Sequence, residues 1–198
     1  LISGFRGTEP GEGEVDGVRR MLEAGACAGV LLLRRNCRSP EQLSRLTGAL
    51  RGAAGAMTPV ISIDQEGGTV ARLDSNSGFL NWHSAAEMEQ IGYSDSELLD
   101  YWTRRAQQML EAGINLNFAP VVDLNLSPEN PIIGGLGRSF GIDPERVTRF
   151  ARVFIQAHRA VGIKTSLKHF PGHGFVAADS HTDVPVDRRT LRAILAED

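Results

Sequence analysis

Residues 111–120 read EAGINLNFAP. A helical stretch ends at a glycine, and an apolar run follows at once. The same succession recurs in AGACAGVLLL (24–33), AGAMTPVISI (54–63) and AVGIKTSLKH (160–169). Glycine just past a helix end supplies the left-handed residue that closes the last turn. The runs that follow are nearly continuous in apolar residues, as strands covered on both faces require. Helix starts are legible too. Ser39-Pro40-Glu41-Gln42 joins an N-cap, a proline at the first helical position and a capping-box Gln. Ser94-Asp95-Ser96-Glu97 is a second capping box, Asp143-Pro144 opens a helix running to about Ala160, and Asp187 is expected to open one near the end.

Five strands are therefore expected, at about 1–5, 29–34, 59–64, 114–123 and 163–170, with helices between them. Such alternation specifies a parallel α/β fold. A dinucleotide-binding sheet would place a Gly-rich phosphate turn after its first strand. GFRGTEPGEG (4–13) lacks that motif and leads into a glutamate-rich segment that would repel phosphate. A (β/α)8 TIM-type barrel fits better, and this chain would supply about its first five β/α units. The expected strand starts lie about 28, 30, 55 and 49 residues apart. The added length thus falls after the third and fourth strands, in loops at the C-terminal face where barrel active sites sit.

The chain has 198 residues, 41% hydrophobic and 23% charged, with a net charge of −3. That suits one globular domain and gives no reason to expect nucleic acid or an anionic membrane as partner. No stretch reaches the roughly 18 apolar residues of a membrane span. Cys27 and Cys37 are too few for a disulfide framework and are expected to be reduced thiols. Leu1 to Phe5 already reads as a strand and no Met opens the chain. The start of the natural protein is therefore expected to be missing, and with five of a barrel's eight strands counted, residues 1–198 are expected to be the N-terminal part of a single barrel, cut at both ends. A cytoplasmic location is expected.

Polar groups gather at the ends of three expected strands: Asp64 in VISIDQEGG, Asp123 in NFAPVVD, and Lys168 and His169 in SLKHF. Singly, each is equally explained as a local loop cap; together they converge on one rim of a barrel. The segment KHFPGHGFVAADSH (168–181) holds three of the five histidines, His169, His173 and His181, while His83 and His158 read as ordinary loop and helix-surface residues. Asp179 and His181 are two apart, so an extended backbone projects both to one side. The carboxylate can then orient the imidazole and stabilise its cation, as a proton donor and acceptor requires. The same spacing also fits an Asx turn beside a surface histidine.

A metal site is the competing chemistry, since His169, His173, Asp179 and His181 are all acceptable ligands. Pro171-Gly172 prevents the helix that would align His169 with His173, and Lys168 opposes a cation. No metal is expected. Arg72 and Arg138, on the two long loops, could bind sugar hydroxyls or an acid group, or serve as surface ion-pair partners. Trp82 could stack on a sugar or fill the core. By itself, Asp64 also fits a nucleophile.

IDQEGGTVARL (63–73), NFAPVVD (117–123), GRSFGIDPERV (137–147) and KHFPGHGFVAADSH (168–181) resemble, in order and spacing, the β-N-acetylhexosaminidases of glycoside hydrolase family 3. The resemblance implies that His181 is the general acid/base and that Asp179 orients it. It implies that Asp64, Arg72, Arg138, Lys168 and His169 bind the sugar, so that Asp64 is not the nucleophile. It further implies a retaining hydrolysis that removes terminal β-linked N-acetylglucosamine, with a peptidoglycan or other cell-wall fragment as the biological substrate and with no cofactor. The attacking aspartate would come after a later strand, in the remainder of the barrel. The rivals are a β-glucosidase or a phosphate-using glycosidase of the same family, or a non-catalytic sugar-binding remnant. Thr69, Ala71 and Phe175 depart from the family's usual residues.

Overall fold

The computed structural model describes residues 1–127, 129–176 and 184–197. Five strands form one parallel sheet in chain order: β1 (Ile2–Gly4), β2 (Gly29–Leu32), β3 (Val60–Ile63), β4 (Leu116–Asn117) and β5 (Lys164–Thr165). The intervening helices are α1 (Gly13–Glu23), α2 (Pro40–Ala53), α3 (Ala85–Ile91), α4 (Asp95–Glu111) and α5 (Pro144–Ala160), and α6 (Leu191–Glu197) follows β5. This is the succession of the first five units of a (β/α) barrel, as the sequence leads one to expect.

The register is that of neighbouring barrel strands, with Ile2 beside Gly29, Gly29 beside Val60, Ser62 beside Leu116 and Leu116 beside Lys164. Val30, Leu32, Ile61 and Ile63 are fully buried. The strands' outer face is covered by amphipathic helices, whose inward residues include Leu43, Leu46 and Leu50 of α2 and Leu98, Trp102 and Met109 of α4. Between α4 and α5 lies an aromatic wedge. Trp102 meets Phe154 edge-on at 5.2 Å, and Phe140 stacks on Phe150 at 4.7 Å. Trp82 is part of this core, 6.1 Å from Phe154, and does not face a ligand site.

The last two strands are shorter than the expected 114–123 and 163–170. Pro120 has no N–H to give the ladder, and only an isolated bridge from Val121 to Lys168 resumes the pairing. Helix α6 begins at Leu191, later than Asp187 suggests. Asp187 spends its carboxylate on Arg189, and Thr190 Oγ1 accepts from Ala193 N instead.

His158 is a second correction, because it is wholly buried on α5 rather than on a helix surface. Its Nδ1 lies 2.9 Å from Phe154 O and its Nε2 3.2 Å from Asn117 Nδ2. The amide nitrogen can only donate, so Nε2 accepts and Nδ1 carries the proton. Cys27 and Cys37 are both buried and unpaired with each other. Burial pushes the Cys37 thiol up to about 12. Among the described residues no helix is long and apolar enough to cross a membrane.

Candidate active site

Residues 64–66 leave β3 with side chains alternating in direction. Asp64 and Glu66 face a cavity of about 350 Å³, while Gln65 turns back into the protein and is fully buried. The Gln65 amide donates to Leu73 O and accepts from the backbone N–H groups of Arg72 and Leu73 at 2.7 and 3.0 Å. It thereby folds the loop over and fixes Arg72. The backbone of Gln65 is held in turn by the Asn117 side chain, at 3.0 Å in both directions. One buried polar chain, His158–Asn117–Gln65, thus ties helix α5, strand β4 and the Arg72 loop together.

Strand β4 leads to Asp123, whose side chain is 1% exposed. Its Oδ2 lies 2.6 Å from His169 Nδ1, and its Oδ1 accepts from the His173 N–H at 2.7 Å. Burial alone would raise this carboxyl. The hydrogen bonds from His169 and the His173 N–H outweigh burial and hold it below the usual carboxylate range. His169 Nε2 lies 3.1 Å from Arg138 Nη2, which can only donate. The imidazole therefore accepts at Nε2 and carries its proton on Nδ1, pointed at Asp123.

Lys168 and Arg138 complete the set. The Lys168 ammonium is 2.8 Å from Asp64 Oδ1 and 2.6 Å from Glu66 Oε1. Arg138 grips Glu66 with Nε and Nη2, both at 2.8 Å, and the two side chains are 9% and 6% exposed. That pairing excludes the reading of Arg138 as a solvated surface partner. Asp64 and Glu66 thus pair with Lys168 and Arg138, and Arg72 lines the same cavity. The buried Nε of Arg72 has no hydrogen-bond partner among the described residues.

The cavity is lined by Asp64, Glu66, Arg72, Arg138, Lys168 and His169, with His173 and apolar residues at its margin. All five sugar-binding candidates from the sequence therefore share one pocket. Asp179 and His181 lie outside the described residues. Glu66 was passed over in the sequence, although its i, i+2 relation to Asp64 assigns it to the same face. Asn130 was missed as well. Buried completely, it accepts from the N–H groups of Ile132 and Ile133 and donates to His173 O and Val176 O, all at 2.7–2.8 Å. It fastens the 168–176 loop onto the 130–133 turn. Gly174 makes the close approach possible, since a Cβ there would overlap Leu124 O. Phe175, one of the departures, lies beneath the Arg189 guanidinium at 4.1 Å, a cation–π contact.

No group of three or more His, Cys, Asp or Glu side chains among the described residues is arranged to hold a metal ion. The carboxylates that could have done so are already paired with Lys168, Arg138 and His169.

The model of the glycosyl hydrolase family 3 N-terminal domain matches residues 13–198. A curated β-hexosaminidase from Xanthomonas oryzae pv. oryzae is 39% identical over the whole chain, which spans 58% of that relative's length. Native NagZ from Neisseria gonorrhoeae superposes with a TM-score of 0.87 at 32% identity, covering all of this chain and 56% of its own. A glycoside hydrolase family 3 β-N-acetylglucosaminidase from a Paenibacillus strain gives 0.86 at 30% identity, over 98% of this chain and 36% of its own.

Proposed function

Because this chain belongs to glycosyl hydrolase family 3, we propose that its full-length gene product is a retaining β-N-acetylhexosaminidase acting on terminal N-acetylglucosamine. The observation that carries this reading is the convergence of Asp64, Arg72, Arg138, Lys168 and His169 on one cavity of about 350 Å³. That volume lies in the range of small-molecule sites, and its lining mixes fixed donors with carboxylate acceptors, as sugar hydroxyls require. Lys168, Arg72 and Arg138 donate to hydroxyl oxygens, and Asp64 accepts from hydroxyl protons. His169 holds Arg138 against the sugar and is itself held by Asp123.

The chemistry follows the two-step retaining route. His181, oriented by Asp179, protonates the glycosidic oxygen as the bond from that oxygen to the anomeric carbon breaks. A carboxylate supplied beyond residue 198 bonds to the same carbon. Water then attacks the glycosyl-enzyme, gives its proton to His181 and releases the carboxylate. The natural substrate in this reading is a cell-wall fragment ending in N-acetylglucosamine. The partner of the present chain is the remainder of its own barrel, seated along β5. There Leu167 and Phe170 are 53% and 95% exposed beside an apolar groove of about 450 Å³ lined by Val147, Ala151 and Ile155.

The test is to express the full-length gene product and compare p-nitrophenyl N-acetyl-β-glucosaminide with the plain β-glucoside. Hydrolysis of the former should be at least about a hundredfold faster, because a site built to hold an amide loses those bonds with the glucoside. A preference for the glucoside would overturn the substrate assignment. A sugar phosphate as product in phosphate buffer would make the enzyme a phosphorylase.

A further inference from the structure

We propose that Glu66 is the positioning residue of this cavity: it fixes where Lys168 and Arg138 offer their donors, without itself touching the sugar. The inference rests on the sugar-binding reading of the site. Glu66 has both oxygens occupied. Oε1 accepts from Lys168 Nζ at 2.6 Å and from Arg138 Nη2 at 2.8 Å, and Oε2 accepts from Arg138 Nε at 2.8 Å. Its side chain is 6% exposed, so little of it is left for a ligand to reach.

The donor count shows what this arrangement does. An ammonium has three N–H bonds and a guanidinium five. Lys168 gives one to Glu66 and one to Asp64. Arg138 gives two to Glu66, one to His169 Nε2 and one to Ile132 O at 3.3 Å. Among the described residues each cation keeps one N–H uncommitted, and Glu66 determines its direction. A lysine has a flexible four-carbon stem, and among the described residues Asp64 alone would restrain it without Glu66. The positions around the carboxylate are all donors, so an amide cannot replace it. Whichever way a glutamine is turned, its NH2 meets an N–H of Arg138 or Lys168.

The full-length gene product carrying Glu66→Gln tests this through three readings. KM for the aryl N-acetylglucosaminide and Kd for N-acetylglucosamine should rise together, about tenfold to a hundredfold, the worth of hydrogen bonds to charged groups. kcat should change little, since binding common to ground and transition states is what is lost. In a double Lys168→Met and Arg138→Met background, Glu66→Gln should add less than about threefold, because it acts through those two side chains. A crystal structure of Glu66→Gln should show both cations displaced by more than about 0.5 Å, the tolerance of a preorganised site.

Unchanged KM and Kd, or a full additive loss in the double background, overturns the proposal. A fall in kcat with KM unchanged does so too, and would make Glu66 a group acting on the reacting bond. If Glu66→Gln does not fold, Glu66→Asp replaces it. That carboxylate is one methylene shorter and cannot reach both cations, so KM should again rise, and an unchanged KM overturns the idea. If the wild-type product hydrolyses neither aryl glycoside, the sugar-binding reading fails by itself. The variant crystal structure then decides the positioning role, with unmoved cations overturning it.

Discussion

At full burial on α5, His158 is held as a neutral imidazole. Burial is the main cause and pushes it down to about 4, the Phe154 carbonyl pulling weakly the other way. The folded value lies below the ordinary 6.5, so folding favours the uncharged ring. Its contribution is complete above about pH 6.5. It is lost as pH falls toward 4, because the unfolded chain takes up the proton first. The loss across that window is on the order of 3 kcal/mol. Urea titrations of the full-length gene product from pH 7 to 4 should therefore show a steeper fall in stability than those of His158→Gln, and parallel curves would refute the assignment. His181 carries the other prediction at this scale. If it is the acid/base, His181→Ala should slow an aryl glycoside with a poor leaving group far more than one with a good one, which needs little protonation. Equal losses on both would dismiss it. The two histidines differ in how far the sequence exposes them. The Asp179-x-His181 pair is local and readable, whereas the Nε2 partner of His158, Asn117, is reached only through the fold.

Helices were the most legible elements, because their start signals are local. Ser39 accepts from Gln42 N, Ser94 from Glu97 N and Asp143 from Glu145 N, where the capping patterns assign them. Strand positions were legible through the glycine-then-apolar rhythm, but their lengths were not. Apolar character runs past Asn117, whereas regular pairing depends on every N–H, and Pro120 has none. At the start of α6 a capping aspartate was diverted by an arginine two residues on, a competition that spacing alone does not resolve. Within the site, the strand-end residues could be read because they follow apolar runs. The clamps that set the loops in place could not. Asn130 meets residues 173 and 176, and Gln65 meets 72, 73 and 117, and no periodicity encodes such pairings.

Across the whole molecule, sheet order is identical to chain order, and β1 and β5 form its two edges. Residues 1–198 expressed alone should therefore be marginal or aggregation-prone, with unpaired edge groups and the apolar groove beside α5 uncovered. They should also be inactive on the aryl N-acetylglucosaminide while the full-length product turns it over, since the proposed nucleophile lies outside them. Turnover by residues 1–198 close to that of the longer protein would instead make Asp64 or Asp123 the attacking carboxylate. The order of the strands also sets a timetable. On a ribosome moving at about 5–20 residues per second, roughly 5–20 s separate the emergence of Asp64 from that of His169. Through that interval Asp64 and Glu66, which follow β3, exist without Lys168, which follows β5, so the binding set of the proposed reading is only partly made. In the proposed reading the sugar-binding set is complete only when Lys168 comes within reach of Asp64, made 104 positions earlier.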